Sequence, residues 1–240
     1  MFPSFWIGQI HIFTYPLILG LLFGLSFEFG KFLLVKKHQN FEGYRLFFLG
    51  CFFFSWVGAK ILFLITLDKN ILNKAITSQN FWIGGGFVFY GGLIFGLLFT
   101  LIYSFRKSLK ITNFSFMIPT LVLCHSIGRV ACFLAGCCFG TYSDLPWAIE
   151  MHGLSRHPVQ IYESLILFLL FMYLYKRYIN GKTVLYEYLI SYAIIRFALE
   201  FFRADLIRGV YLFDVSTSQI ISFLLLCISF FMLYKNRLRV

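Results

Sequence analysis

The amino-acid sequence predicts an all-α integral membrane protein with about seven transmembrane helices, its N-terminus outside the cell and its C-terminus in the cytoplasm. Three observations lead to this prediction. Of the 240 residues, 60% are hydrophobic and only 13% are charged, which is more apolar than soluble domains are. Apolar runs of roughly 20 residues, the length that crosses a hydrocarbon core about 30 Å thick, recur seven times. The basic residues are divided unevenly between the loops of the two sides.

The seven predicted spans lie at about 12–34, 46–67, 83–104, 114–135, 160–175, 184–202 and 213–234. Lipid cannot hydrogen-bond to a polypeptide backbone, so each span is predicted to be helical. The first span has no basic segment before it and is too long for a cleavable signal, so it is expected to remain as a helix. No repeat, linker or soluble segment divides the chain, which indicates one transmembrane domain over residues 1–240.

The formal net charge of +11 is explained by membrane topology rather than by nucleic-acid binding. Twelve basic residues fall on one side of the predicted membrane and five on the other. Cytoplasmic loops carry the excess of lysine and arginine, which places the N-terminus outside. The larger group is Lys36, Lys37, Arg45, Arg106, Lys107, Lys110, Lys176, Arg177, Lys182, Lys235, Arg237 and Arg239, and the smaller is Lys69, Lys74, Arg156, Arg203 and Arg208.

Four basic residues lie inside the predicted spans, and the two arginines among them are the most informative. Lys31 is near a cytoplasmic end and can extend to the interface, whereas Lys60 lies deeper, in the outward half of the second span. Arginine in hydrocarbon is unfavourable by several kcal/mol, so Arg129 and Arg196 predict a functional site. Arg129 belongs to "GRVACFLAGCCFG", residues 128–140, which leads the outward-running fourth span into an external loop.

Three segments are predicted to bring charged side chains to one depth at the outer membrane boundary. In "IRFALEFFRAD", the spacing of Arg196, Glu200 and Arg203 puts them on one helix face. In "SRHPVQIYE", the proline suits the first turn of the fifth helix. The polar residues of this second segment are Arg156, His157, Gln160, Tyr162 and Glu163.

The chemistry of these side chains favours a phospholipid phosphate as ligand. The planar guanidinium group of arginine matches phosphate bidentately, and Glu163 and Glu200 would neutralise and orient the arginines. An alternative is a set of buried ion pairs that only fasten the helices together. A further contributor is "GGGFVFYGGLIFG" in the third span, whose glycines permit close approach of another helix or of a ligand. Tyr90, between these glycines, is either an interfacial residue or a donor in the site.

Three of the six cysteines, Cys132, Cys137 and Cys138, are close together in the sequence. Small residues that fill space, a disulfide between Cys132 and Cys137, and a metal site are the alternatives. The C-x₄-C-C spacing matches no ordinary zinc pattern, so no metal and no cofactor are expected.

The motifs, taken together and in this order, resemble the prolipoprotein diacylglyceryl transferase family over nearly the whole chain. They are Thr14-Tyr15 in the first span, the pair Gly91-Gly92 before "LI", Gly128-Arg129, the "RHPxQxYE" element and the "RFxxEFFR" element. Relative to the family pattern, Cys132, Ala135 and Cys137 stand in place of Asn, Asn and Glu, while Phe133 and Gly140 are retained. Tyr90 stands in place of a histidine.

The resemblance implies transfer of a diacylglyceryl group from phosphatidylglycerol to the lipobox cysteine thiol of a prolipoprotein signal peptide, forming a thioether. It implies a multi-pass protein of the bacterial cytoplasmic (inner) membrane with its site facing the outer leaflet. Tyr90, His157 and His125 are hypotheses for the base. The alternative is a diverged relative that binds phospholipid or uses its cysteine cluster in redox or metal chemistry. The implied catalytic residues are Arg129, Arg196, Tyr90 and His157, and the implied substrate-binding residues are Tyr15, Gly91, Gly92, Gly128, Gly140, Arg156, Gln160, Tyr162, Glu163, Glu200 and Arg203.

Overall fold

The computed structural model describes residues 2–8, 10–39, 41–67, 72–73, 76–77, 81, 87–204 and 215–237. Within these residues the chain is mainly helical, which confirms the predicted fold class. The long helices are α1 (Thr14–Lys36), α2 (Tyr44–Thr66), α3 (Phe89–Arg106), α4 (Met117–Ala135), α5 (Val159–Ile179), α6 (Leu185–Glu200) and α7 (Thr217–Arg237). Six of them are long and apolar enough to cross a membrane, whereas α6, with 16 residues, is shorter.

Each predicted span overlaps one of these helices, and the differences lie at the ends. Ile12 and Phe13 belong to a strand, so α1 begins only at Thr14. Helix α5 continues past the predicted end at residue 175 to Ile179, and its last turn includes Lys176 and Arg177. Basic side chains are favourable there because they face the negative end of the helix dipole. The glycines at 84–86 lie outside the described residues.

Two short antiparallel hairpins were missed by the all-helical prediction. One pairs β1 (Ser4–Ile7) with β2 (Ile10–Phe13), and the other pairs β3 (Ile149–Met151) with β4 (Leu154–Arg156). His152 and Gly153 connect β3 to β4 with φ angles of 54° and 75°, as a two-residue hairpin turn requires. These pairings satisfy backbone groups in the segments that join the helices.

Helices that are consecutive in the chain pack side by side as α2 with α3, α4 with α5 and α6 with α7, and α1 packs on α4. The contact of α2 with α3 is close because Gly58 faces Gly91. A Cβ atom added to Gly91 would overlap the backbone carbonyl of Gly58 and lie 2.7 Å from Cβ of Leu62. The structure therefore shows a helix-packing role for this part of the glycine cluster. The most buried large side chains include Leu33, Phe47, Phe116, Leu167, Tyr188 and Tyr192.

Candidate functional site

The first part of the candidate site is a buried ion pair between α4 and α5. Nη2 of Arg129 lies 2.9 Å from Oε1 of Glu163, and both side chains are almost fully buried. Two reciprocal hydrogen bonds fix the relative position of the helices beside this pair. Oγ of Ser126 donates to the Ser164 carbonyl at 2.8 Å, and Oγ of Ser164 donates to the Ser126 carbonyl at 2.9 Å. The guanidinium group of Arg129 is therefore held in place from two helices.

The second part is an ion pair within α6. Nη2 of Arg196 lies 2.5 Å from Oε2 of Glu200, one helical turn away, and donates to Oγ of Ser218 on α7 at 3.1 Å. The prediction that Arg203 continues this helix face is wrong, because α6 ends at Glu200. Arg203 instead forms an antiparallel backbone bridge with Gly140 of the external loop.

The two ion pairs belong to one electrostatic cluster centred on Glu163. Its carboxylate interacts with Arg129, and also with Arg196, His125 and Arg203. We call Arg129, Glu163, Arg196 and Glu200 the arginine cluster. Its four formal charges cancel, and Arg203 adds a further positive charge nearby. The fold thus joins charged residues that are far apart in the sequence.

Tyr90 of α3 lies at the edge of the arginine cluster. Its hydroxyl hydrogen-bonds to Oγ of Ser222 on α7, and Ser222 in turn donates to the Ser218 carbonyl at 2.7 Å. Since the single hydroxyl proton of Ser222 is used in this way, Tyr90 is the donor in their shared hydrogen bond. Tyr90 also interacts electrostatically with Arg196. Sequence reasoning missed both serines, although their i, i+4 spacing in an apolar span was an available signal.

His125, which the sequence presents as either a packing residue or a base, lies inside the site. Its Nε2 is 3.7 Å from Oε1 of Glu163, and its ring stacks on Phe89 with ring centroids 3.8 Å apart. Among the described residues, neither ring nitrogen has a hydrogen-bond partner. Its position one helical turn before Arg129 was the signal for this placement. Tyr192, also missed, packs against both His125 and Tyr90 with its ring edge.

The external loop after α4 is anchored by residues that the sequence predicts as substrate-binding. Nε2 of the buried Gln160 donates to the Cys137 carbonyl at 2.6 Å. The backbone N–H of Gly140 donates to the His157 carbonyl at 3.1 Å. A Cβ atom on Gly140 would lie 2.5 Å from that carbonyl oxygen, so a larger residue does not fit. Gln160 and Gly140 thus hold the loop against the start of α5.

Arg156 and His157 belong to the same loop network. Arg156 donates from Nη1 to the Gly140 carbonyl and from Nε to the Met151 carbonyl, both at 3.2 Å, and its guanidinium lies 4.5 Å from the centroid of the Phe139 ring. Nδ1 of His157 lies 3.4 Å from the Tyr162 hydroxyl, which accepts a hydrogen bond from Trp147 Nε1 at 2.8 Å. These contacts place both residues in the loop, outside the arginine cluster.

The remaining predicted residues lie on the helix faces around the site. Gly92, like Gly91, faces α2, where an added Cβ would lie 3.2 Å from the Ser55 carbonyl oxygen. The Cα of Gly128 faces α1, where an added Cβ would lie 3.9 Å from Leu22 Cδ1. Tyr15, in the first turn of α1, interacts electrostatically with Arg129 and with all three clustered cysteines.

Comparison with known proteins connects this arrangement to one family. The model of the prolipoprotein diacylglyceryl transferase family matches residues 3–235. A phosphatidylglycerol–prolipoprotein diacylglyceryl transferase of Clostridium tetani is 32% identical over 194 residues, which cover 76% of each chain. A second such protein, from Clostridium perfringens, is 33% identical over 76% of this chain and 75% of its own. A third, from Campylobacter jejuni, is 28% identical over 92% of this chain and 84% of its own.

Proposed function

The chain belongs to the prolipoprotein diacylglyceryl transferase family, and we propose that it transfers the diacylglyceryl group of phosphatidylglycerol to a prolipoprotein. The acceptor is the thiol of a lipobox cysteine in the signal peptide. A thioether bond forms and glycerol phosphate leaves. The observation that best supports this proposal is that two buried arginines from different helices, Arg129 and Arg196, interact with the same carboxylate, that of Glu163.

The arginine cluster is suited to bind the phosphate of the lipid. Glu163 holds Nη2 of Arg129, while Nε of Arg129 has no hydrogen-bond partner within the described part of the chain. The guanidinium group can therefore stay anchored to Glu163 and still offer another N–H to a phosphate oxygen. As the bond between carbon and oxygen breaks, negative charge grows on the leaving phosphate. Arginines that are already fixed in a buried site stabilise this charge without further reorganisation.

The acceptor thiol must become a thiolate, since its ordinary pKa is about 8.5. Tyr90 uses its hydroxyl proton in a hydrogen bond to Ser222, and His157 is placed by Tyr162 in the loop. His125 is the histidine nearest to Glu163. We propose that the positive charge of Arg129 and Arg196 promotes ionisation of the thiol more than proton transfer to any of these three residues does.

We place the protein in the bacterial cytoplasmic (inner) membrane with the arginine cluster towards the outer leaflet. The support is the unequal distribution of basic residues between the two sides of the membrane. In this orientation the loop between α4 and α5 and the end of α6 lie at the outer surface. Prolipoprotein signal peptides that enter the membrane from the cytoplasm would then meet phosphatidylglycerol at the depth of Arg129.

The experiment is to incubate purified protein in detergent with phosphatidylglycerol and a synthetic lipobox peptide, and to measure the peptide mass. We expect a mass gain of one diacylglyceryl group on the cysteine. The gain should be lost with Arg129→Ala and with a peptide that carries serine in place of cysteine. Lys31→Ala, which removes an exposed cation distant in sequence from the site, is the matched control and should remain active. A folded wild-type protein that leaves the peptide mass unchanged would contradict the proposal.

A further inference from the structure

The structure brings the three sulfur atoms of Cys132, Cys137 and Cys138 within 4.8 Å of one another. All six cysteines of the chain are described and none forms a disulfide. Cys132 is buried in the last turn of α4, while Cys137 is exposed and Cys138 is half-buried. The three thiols thus form a pocket-like group that is open on one side. We call these residues the cysteine triad.

The end of α4 explains how cysteines with this spacing come together. Gly136 has a φ angle of 72° and turns the chain back on the helix, as glycine does in a Schellman motif. The N–H of Gly136 donates to the Phe133 carbonyl, and that of Cys137 donates to the Cys132 carbonyl, both at 3.1 Å. Cys137 therefore lies over the turn that contains Cys132. The hydrogen bond from Gln160 to the Cys137 carbonyl fixes this conformation from α5.

Cys138 completes the triad through an unfavourable backbone conformation. Its φ angle is 62°, in the left-handed region that residues other than glycine, asparagine and aspartate rarely adopt. Such conformations persist where the surrounding structure enforces them, and they concentrate at functional sites. Here this conformation directs the third sulfur towards the other two.

The thiols of the triad are arranged so that a cation is needed for all of them to ionise. Hydrogen bonds with Cys132 and Cys138 raise the pKa of the Cys137 thiol above its ordinary value. Neighbouring thiolates repel one another, and a divalent ion that replaces their protons removes this repulsion. A tetrahedral zinc ion with bonds of about 2.3 Å holds its sulfur ligands about 3.8 Å apart, so small side-chain movements from the present 4.8 Å are sufficient.

We propose that the cysteine triad binds a zinc ion through three thiolates, and that the open fourth position takes the thiol of the acceptor cysteine. This inference rests on the proposed transferase function. Zinc sites with three protein ligands and one open position are the catalytic kind. The triad is also beside the phosphate site, since Arg129 interacts electrostatically with both Cys132 and Cys138.

The resulting reaction is balanced without a redox partner. The acceptor thiol binds zinc and loses its proton to solvent. Its sulfur then attacks the glyceryl carbon that carries the phosphate, so that a carbon–sulfur bond forms as the carbon–oxygen bond breaks. Glycerol phosphate leaves as the dianion, and its added negative charge is received by Arg129 and Arg196. The thioether product is a weaker zinc ligand than a thiolate and leaves the ion.

The first test is metal binding by the full-length protein in detergent, after reduction and removal of metal with a chelator. We expect about one zinc ion per chain. Each of Cys132→Ser, Cys137→Ser and Cys138→Ser should weaken zinc binding by more than the roughly 10- to 100-fold that is typical for residues that only orient a ligand. Cys124→Ser, which removes a thiol of α4 outside the triad, is the matched control and should bind zinc as the wild type does. Retention of zinc by all three triad variants would overturn the inference.

The second test uses cobalt(II) in place of zinc to detect the acceptor thiol at the metal. The wild-type complex should show the intense visible bands of tetrahedral cobalt–thiolate coordination, and a lipobox peptide should shift these bands while its serine analogue should not. Diacylglyceryl transfer is measured by mass spectrometry on the same preparation. Transfer without zinc binding, or with an oxidised Cys132–Cys137 pair, would overturn the zinc site but leave the transferase function intact. Zinc binding with the expected peptide shift but no transfer would instead contradict the proposed function.

Discussion

The ion pair between Arg129 and Glu163 allows a catalytic role to be separated from a purely structural one. The proposed perturbation is a cycle of three variants: Arg129→Met, Glu163→Leu and the double replacement. Each single change leaves a buried charge without its partner, because Nη2 of Arg129 and Oε1 of Glu163 are 2.9 Å apart and both side chains are buried. The double change removes both charges together and replaces them with apolar side chains.

The expected magnitudes follow from the geometry of the pair. For charge centres about 4 Å apart, an effective dielectric constant of about 20 gives an attraction of about 4 kcal/mol. Breaking a buried pair costs about 3–5 kcal/mol, whereas replacing both partners by apolar residues is neutral or stabilising by about 1–4 kcal/mol. We therefore expect each single variant to lose thermal stability and the double variant to regain most of it. Arg196 keeps its own partner, Glu200, in every variant.

The assay is the thermal unfolding midpoint in detergent together with the rate of diacylglyceryl transfer to the lipobox peptide. Loss of one fixed donor to a developing anion slows reactions by about 10²–10³-fold. The double variant should therefore be stable but slower by at least this factor. A double variant that is both stable and fully active would refute the reasoning, because Arg129 would then serve only to fasten α4 to α5.

Three further predictions follow from the packing of single residues. Gly91→Ala should lower stability by roughly 1–3 kcal/mol because α2 leaves no room for its side chain, whereas Gly24→Ala, with no atom within 4 Å of an added Cβ, should be neutral or stabilising in the same unfolding measurement. Tyr90→Phe removes a buried hydrogen bond to α7 and should cost about 1 kcal/mol of stability, yet reduce kcat less than tenfold; a loss of 100-fold or more would make Tyr90 a catalytic residue. Gly140→Ala should free the loop over residues 136–158, because the new Cβ meets a backbone carbonyl at 2.5 Å, and limited proteolysis should then cut this loop faster; unchanged cleavage would contradict the anchoring role.

Much of the fold was predictable because insertion into a membrane depends on length and composition along the chain. The apolar runs located all seven long helices, and errors were confined to their ends. The two hairpins were not predicted, because strands of three or four residues are too short for a periodic pattern to be recognised. The position of Arg203 was wrong because the regular spacing of charges extends beyond Glu200, where the helix stops.

The candidate site shows the same division between sequence and tertiary structure. The sequence by itself determined that Arg129 and Arg196 lie within apolar spans and need partners, since an isolated charge is unfavourable in hydrocarbon. Only the tertiary structure decided which partners they have, and it placed His125 beside Glu163. These contacts depend on how each helix is rotated about its axis and how neighbouring helices are aligned, which apolar length leaves undetermined. The cysteine triad likewise depends on a left-handed turn after α4 that joins sulfur atoms five and six residues apart, in a spacing that matches no ordinary zinc motif.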